Sequence, residues 1–202
     1  MNLRKQTKAL DHLAVKRLDA SRYHAVKIGA PLNCFITIAP RRCEGAPLER
    51  PALYFAGVRN WIGVWIRRRS LQFSAIWTVE NNLAATDPHI HILMHLPSRL
   101  FSDFREALAK QYPGNGVTHL RPDDGQTAWH SSGYRGSTLN YMRKQMSPQA
   151  WWALGKRVRR VHGGPFTGRR WGTTANLNAR AQENSTIRPD FRAVTEQKQR
   201  GH

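Results

Sequence analysis

Cysteine occurs only twice in this chain, at Cys34 and Cys43, and Asp and Glu together occur only 13 times. Two cysteines cannot build a disulfide framework, which excludes the small stapled scaffolds of secreted domains. Cys34 stands in an apolar run and reads as a small core residue rather than a nucleophile. No apolar run approaches the roughly 20 residues of a membrane span, and no signal peptide is evident. A cytoplasmic protein without membrane contact is therefore expected. Against the few acids stand 32 Lys and Arg, for a formal net charge of +19. That imbalance points to a polyanionic partner, most simply nucleic acid. Arginine outnumbers lysine 24 to 8, and its planar fork suits phosphate and base edges better than a point charge does. With 202 residues, 40% of them hydrophobic, the chain can bury one core.

The first 30 residues are basic and moderately helical in pattern, and are expected to form an arm or lead-in helix outside the core. Leu32 to Ala39 predicts a strand stopped by Pro40, and Pro51 to Arg69 a helix with proline suited to its first turn. Leu71 to Glu80 predicts a second strand, with Leu71, Phe73, Ala75, Trp77 and Val79 on its apolar face. The third strand lies in "TDPHIHILMHLP", Thr86 to Pro97. Ser98 to Tyr112 predicts a helix capped by Ser98, Val117 to Arg121 a short strand, and one helix is expected from about Ser137 through Leu154. The order strand, helix, strand, strand, helix, strand specifies an α+β fold. The expected form is a ferredoxin-like or RRM-like antiparallel β-sheet with helices on one face and an open catalytic face. That domain would cover residues 31–178, with a basic segment at its end and a disordered tail over 179–202.

The third strand carries the first chemical signal. Alternation puts Ile90, Ile92, Met94 and Leu96 on one face, and His89, His91, Leu93 and His95 on the other. If the second and third strands pair through a symmetric loop, Glu80 lies opposite His89 and Thr78 opposite His91. Cross-strand neighbours sit about 5 Å apart at Cβ, so Glu80, His89 and His91 would converge on one point. Two imidazoles and a carboxylate suit a divalent ion such as Mg²⁺ or Mn²⁺, and ligand type alone leaves zinc open. His95 falls two residue pairs further along and reads as peripheral. The second signal is "STLNYMRKQM", in which Tyr141 and Lys144 stand three apart and share a helix face. A tyrosine can attack a phosphodiester when a cation supports the phenolate and a metal polarises the phosphoryl oxygen.

These motifs, in this order on these elements, resemble the HUH endonucleases, and among them the single-tyrosine rolling-circle replication initiators. His89-Ile90-His91 matches the His-hydrophobe-His signature, Tyr141 and Lys144 match Tyr-x-x-Lys, and Glu80 matches the acidic third ligand on the preceding strand. "CFITIAP" resembles the upstream strand motif, in which Phe35 and Thr37 would face the DNA. The resemblance spans about Asn33 to Trp171. It implies a single-stranded or hairpin DNA origin as substrate, a 5′-phosphotyrosine intermediate, a divalent metal cofactor, and a host helicase and polymerase as partners. Phe35 would then stack on a base. Arg67, Arg68, Arg69, Arg143, Arg169 and Arg170, with the basic run from Lys156 to Arg160, would hold phosphates.

Position 137 is Ser and position 145 is Gln, so a second tyrosine one helical turn away is missing; Tyr134 lies seven residues before Tyr141. No acidic residue stands between Asp124 and Tyr141 to activate a terminating water, and no phosphate-binding loop of a helicase occurs. A single-tyrosine transposase acting on hairpin DNA would share the same chemistry. A relaxase would place the tyrosine before the histidine pair. A two-histidine phosphoesterase would need separated His-x-Thr/Ser motifs, which the histidine triplets here do not supply. A non-catalytic single-stranded DNA-binding module needs neither metal nor tyrosine.

Overall fold

The period-2 pattern of the strands and the helical spacing between them place four strands of the main sheet and the two helices that pack on its apolar face. A computed structural model describes residues 6–46, 49–114, 117–122, 137–155 and 160–185. Its elements run β1 (Gln6–Thr7), α1 (His12–Lys27), β2 (Cys34–Ile38), α2 (Pro51–Arg67), β3 (Ala75–Glu80), β4 (His89–Met94) and α3 (Phe101–Gln111). They continue with β5 (Val117–Pro122), α4 (Thr138–Met142), α5 (Pro148–Ala153), β6 (Phe166–Thr167), β7 (Trp171–Thr173) and α6 (Ala179–Asn184). The main sheet is antiparallel in the order β5-β2-β4-β3-β7, and β1 pairs separately with β6. Its first four strands have the ferredoxin-like order, and β7 extends the β3 edge.

The face expected to be apolar is packed as expected. Cys34, Ile36, Ile38, Ala75, Trp77, Val79, Ile90, Ile92 and Met94 meet Phe55, Val58, Ile62 and Ile66 of α2, and Phe104 and Leu108 of α3. The second face differs from expectation. Leu10, Ala14, Val15, Leu18 and Ala25 are buried against Phe35, Ile76 and Leu93, together with Leu139, Met142, Met146 and Ala150. The N-terminal segment is thus a core element and not an arm, and α1, α4 and α5 cover much of the face that carries the histidines. The reason is visible in α1: four small or branched apolar residues at positions 14, 15, 18 and 25 form a narrow stripe between charged neighbours.

Two helical boundaries also differ. The single helix expected from Ser137 is broken into α4 and α5, each with its own serine cap: Ser137 Oγ accepts from the Asn140 amide and Ser147 Oγ from the Ala150 amide. Pro148 cannot continue the first helix and is suited to open the second. Ser98 caps nothing; it opens a 3₁₀ turn, Ser98–Leu100, before α3. The strand expected from Leu71 begins at Ala75, although Leu71 and Phe73 still pack on the core. Of the expected tail, Ala179–Asn184 is helical with Asn178 as its cap; residues 186–202 lie outside the described residues, as do Tyr134 and 156–159 of the basic run. Among the described residues no helix is long and apolar enough to cross a membrane.

Candidate metal centre

The β3–β4 hairpin has the symmetric register its sequence implied: Glu80 pairs with His89, Thr78 with His91, and Thr37 of β2 flanks His91 on the other side. Glu80, His89 and His91 therefore point from one end of the sheet to a common place, and one ligand atom from each lies within 4.8 Å of the others. Glu80 Oε2 is 3.2 Å from both His89 Nε2 and His91 Nε2. Outer groups select those nitrogens as ligands. His91 Nδ1 is 2.7 Å from Thr37 Oγ1 and His89 Nδ1 is 3.2 Å from the Asp87 carbonyl. A neutral ring that donates from Nδ1 to these acceptors turns the lone pair of Nε2 toward the carboxylate.

Glu80 and His91 are buried, whereas His89 is the rim of the site with its side chain 24% exposed. Burial pushes the Glu80 carboxyl up, but the neighbouring His91 and Lys144 outweigh it and hold it well below the usual carboxylate range. Burial pulls the His91 imidazole down to about 3, against the upward pull of Glu80. An ionised carboxylate and a neutral imidazole are the protonation states that metal ligation requires. Glu80 Oε1 and His91 Nε2 are also buried without a hydrogen-bond partner. Orphaned acceptors of this kind are rare in folded proteins, and here they belong to two of the three prospective ligands. The residues therefore fit a divalent cation.

The tyrosine helix closes the site from above the sheet. The Tyr141 ring lies 5.1 Å from the His91 ring, and Phe35 touches both, at 5.6 Å from His91 and 6.2 Å from Tyr141. Lys144 Nζ stands 3.3 Å from the centre of the Tyr141 ring and 2.6 Å from Glu80 Oε2. The two sequence motifs, separated by about 50 residues, thus meet at one carboxylate.

Sequence reasoning placed other residues less well. Phe35 and Thr37 do lie on the histidine face, but both are buried: Phe35 is wall packing behind His91 and Tyr141, and is not available to stack on a base. Arg143 is committed to Asp19 at 2.5 Å and to Asn140, and Arg170 is 3% exposed. The Arg170 guanidinium donates to the Thr7 hydroxyl and carbonyl, the Val79 and Gly164 carbonyls and Gln145 Oε1. Both arginines are internal cross-links rather than free phosphate contacts. Arg67, Arg68 and Arg69 are exposed, at the end of α2 just before the chain enters β3, whereas Glu80 closes that strand at its other end. Arg69 folds back onto Trp65. Arg169 is exposed. His95 Nδ1 donates to the Pro31 carbonyl at the strand end and takes no part in the site.

Asn81 and Gln145 were missed. Gln145 Nε2 donates to the Asn81 carbonyl and its Oε1 accepts from the Asn81 amide, so the residue after Lys144 is tied to the residue after Glu80. The only signal in the sequence was adjacency to the two motifs. No family model matches the chain, and neither a curated protein nor a solved structure matches it.

Proposed function

We propose that this protein is a metal-dependent single-stranded DNA endonuclease and strand transferase that nicks a hairpin origin through a 5′-phosphotyrosine and so initiates rolling-circle replication. The observation that carries the reading is the convergence of Glu80, His89 and His91, with ligand atoms within 4.8 Å, beneath the Tyr141 ring. A divalent ion held there, Mg²⁺ or Mn²⁺, would supply Lewis-acid polarisation of the scissile phosphate. Glu80 and His91 would hold that charge in the interior, with His89 on the solvent side, from which the strand would arrive. The Tyr141 oxygen attacks phosphorus, its bond to phosphorus forms as the bond to the 3′ oxygen breaks, and the phenol proton is lost to solvent as the 3′ oxygen gains one. Lys144, beside the ring, stabilises the phenolate and the charge that builds on the phosphoryl group. The released 3′-hydroxyl serves a host polymerase after a host helicase opens the duplex, and its attack on the phosphotyrosine runs the same steps backwards and reseals the strand. The net charge of +19 supports a polyanionic substrate.

One observation favours a non-catalytic single-strand-binding module instead: Lys144 already neutralises Glu80 from within the protein. A single gel decides. Labelled hairpin oligonucleotides are incubated with Mn²⁺ and the full chain, beside Tyr141→Phe and His91→Ala, and resolved under denaturing conditions. A covalent protein–DNA band is expected only with metal and only in the unsubstituted protein. Tight binding without a band across a broad oligonucleotide pool gives the module reading the field, and rejoining only at repeat hairpins marks a transposase.

A further inference from the structure

Trp77 lies on the face of the sheet opposite the metal centre, over the last strand. Its indole rests on the backbone of Gly172, its partner in β7. Two guanidinium groups converge on this one ring: Arg59 of α2, with Cζ 4.7 Å from the ring centre, and Arg169, which leads into β7, at 5.6 Å. Among the described residues neither arginine has a carboxylate within 4 Å. Arg169 makes one hydrogen bond, to the Trp171 carbonyl, and the Arg59 guanidinium makes none with any described residue. The Trp77 indole N–H is also buried without a partner.

Two like charges gathered on one aromatic ring, with most of their donors uncommitted and no carboxylate partner among the described residues, form an incomplete arrangement. Cation–π contact with Trp77 orders each guanidinium, but the mutual repulsion is left uncompensated. Burial, then the charge of Arg169, pulls the Arg59 guanidinium down to about 10, still charged at neutral pH. What completes the arrangement is an anion that accepts from two planar forks at once, and a phosphodiester oxygen pair has that geometry.

We infer that Arg59 and Arg169 clamp one backbone phosphate of the DNA strand, on the Trp77 platform at the β7 edge of the sheet. The identity of the anion rests on the single-stranded DNA reading above; the clamp itself rests on the two arginines. Trp77 precedes Glu80 by three residues, about 10 Å along β3, and faces the other way. A strand leaving the metal centre would therefore turn round the β7 edge to reach the clamp. This gives the substrate a second fixed point, away from the histidine face that α1 partly covers.

The test is the salt dependence of binding, read by fluorescence anisotropy with a labelled oligothymidylate, the full chain and EDTA, so that no cleavage enters. The R59Q/R169Q variant is expected to weaken binding about tenfold at roughly 0.1 M salt. Its slope of log affinity against log salt should be shallower by about 0.7, the value for one phosphate on a single strand. R105Q/K110Q removes the same charge from exposed positions on α3 and should leave the slope unchanged, while R59K/R169K should restore it and serves as the control for folding. An unchanged slope in R59Q/R169Q, an equal loss in the α3 variant, or no salt-dependent binding by the unsubstituted chain overturns the clamp. The gel assay for the tyrosine adduct is separate: an adduct that forms while the clamp fails, or a clamp that holds without any adduct, tells the two readings apart.

Discussion

Glu80 Oε2 has three close neighbours, His89, His91 and Lys144, while Oε1 is buried without a hydrogen-bond partner. A lysine at 2.6 Å competes directly with any cation for this carboxylate, because both need the same charge in the same low-dielectric place. Lys144 must therefore let go of Glu80 when a metal binds, and it is then free to face Tyr141, whose ring it already touches. Its removal should have two opposite effects. Without metal, Lys144→Met leaves a buried carboxylate short of one counter-charge, and such losses are strongly destabilising, on the order of 3–5 kcal/mol for a fully buried pair; the 12% exposure of Lys144 and the remaining histidines reduce this. With Mn²⁺ the loss is reversed, so the rise in melting temperature on adding Mn²⁺ should be larger in Lys144→Met than in the unsubstituted protein. The adduct, by contrast, should form roughly 100 to 1,000 times more slowly, the range of a positioned charge or proton-transfer group. Thermal melts with and without Mn²⁺ check the first effect, and an adduct time course checks the second. A smaller metal-induced shift in the variant would mean that Lys144 helps to hold the ion rather than competing with it.

Among the elements, the β3–β4 hairpin is fully legible in the sequence because its chemistry is written in period two: a clean apolar face fixes the register, and the register fixes the triad. The Tyr141 segment is legible in identity but not in extent. Ser147-Pro148 is a visible signal for a new helix start, yet the apolar residues on either side keep helical spacing, and that periodicity outweighs the break. β7 is not legible at all. Three residues carry no period, and its role depends on Gly172, where a Cβ would lie 2.2 Å from Trp77 Cζ2 and within 3 Å of two further ring atoms. The neighbours Arg169 and Arg170 share a residue type and differ in fate, one exposed and one at the centre of a buried network; nothing local in the sequence separates them. Gly172→Ala should accordingly displace Trp77 or separate β7 from β3, at a cost of about 1–3 kcal/mol for a forced overlap. Urea denaturation measures it, and because Arg59 and Arg169 rest on the same ring, affinity for single-stranded DNA should fall with it. Unaltered stability would show that the indole can swing aside.

At the scale of the whole molecule, the sheet carries two cores. One lies under α2 and α3, and the other, beneath α1, α4 and α5, packs directly against the Glu80–His89–His91 group through Phe35. The expectation of an open catalytic face arose because the histidine side of each strand is mixed: Phe35, Ile76 and Leu93 alternate along it with Thr, Glu and His. Such a face is polar where the ligands stand and apolar beyond them, and the apolar part needs a cover. α1 supplies it with Leu10 just ahead of the helix and Ala14, Val15, Leu18 and Ala25 within it, all buried. A second tie runs from α1 to the end of the Tyr141 helix through Asp19 and Arg143, and Ser21 donates to the Leu177 carbonyl beyond β7. If α1 were a detachable arm, a chain beginning at Ala30 would fold and nick faster. The packing argues the reverse. Burial of a Val or Leu side chain is worth about 1.5–3 kcal/mol each, so Leu10, Val15 and Leu18 alone hold a large share of the roughly 5–15 kcal/mol that separates a folded domain from its unfolded chain. The truncated chain is therefore expected to lose its cooperative thermal transition and its Mn²⁺ response together, since Phe35, and behind it His91 and Tyr141, would lose their backing. A truncated chain that still melts cooperatively, within about 5 °C of the full one, and forms the adduct faster would identify α1 as a removable cover over the histidine face.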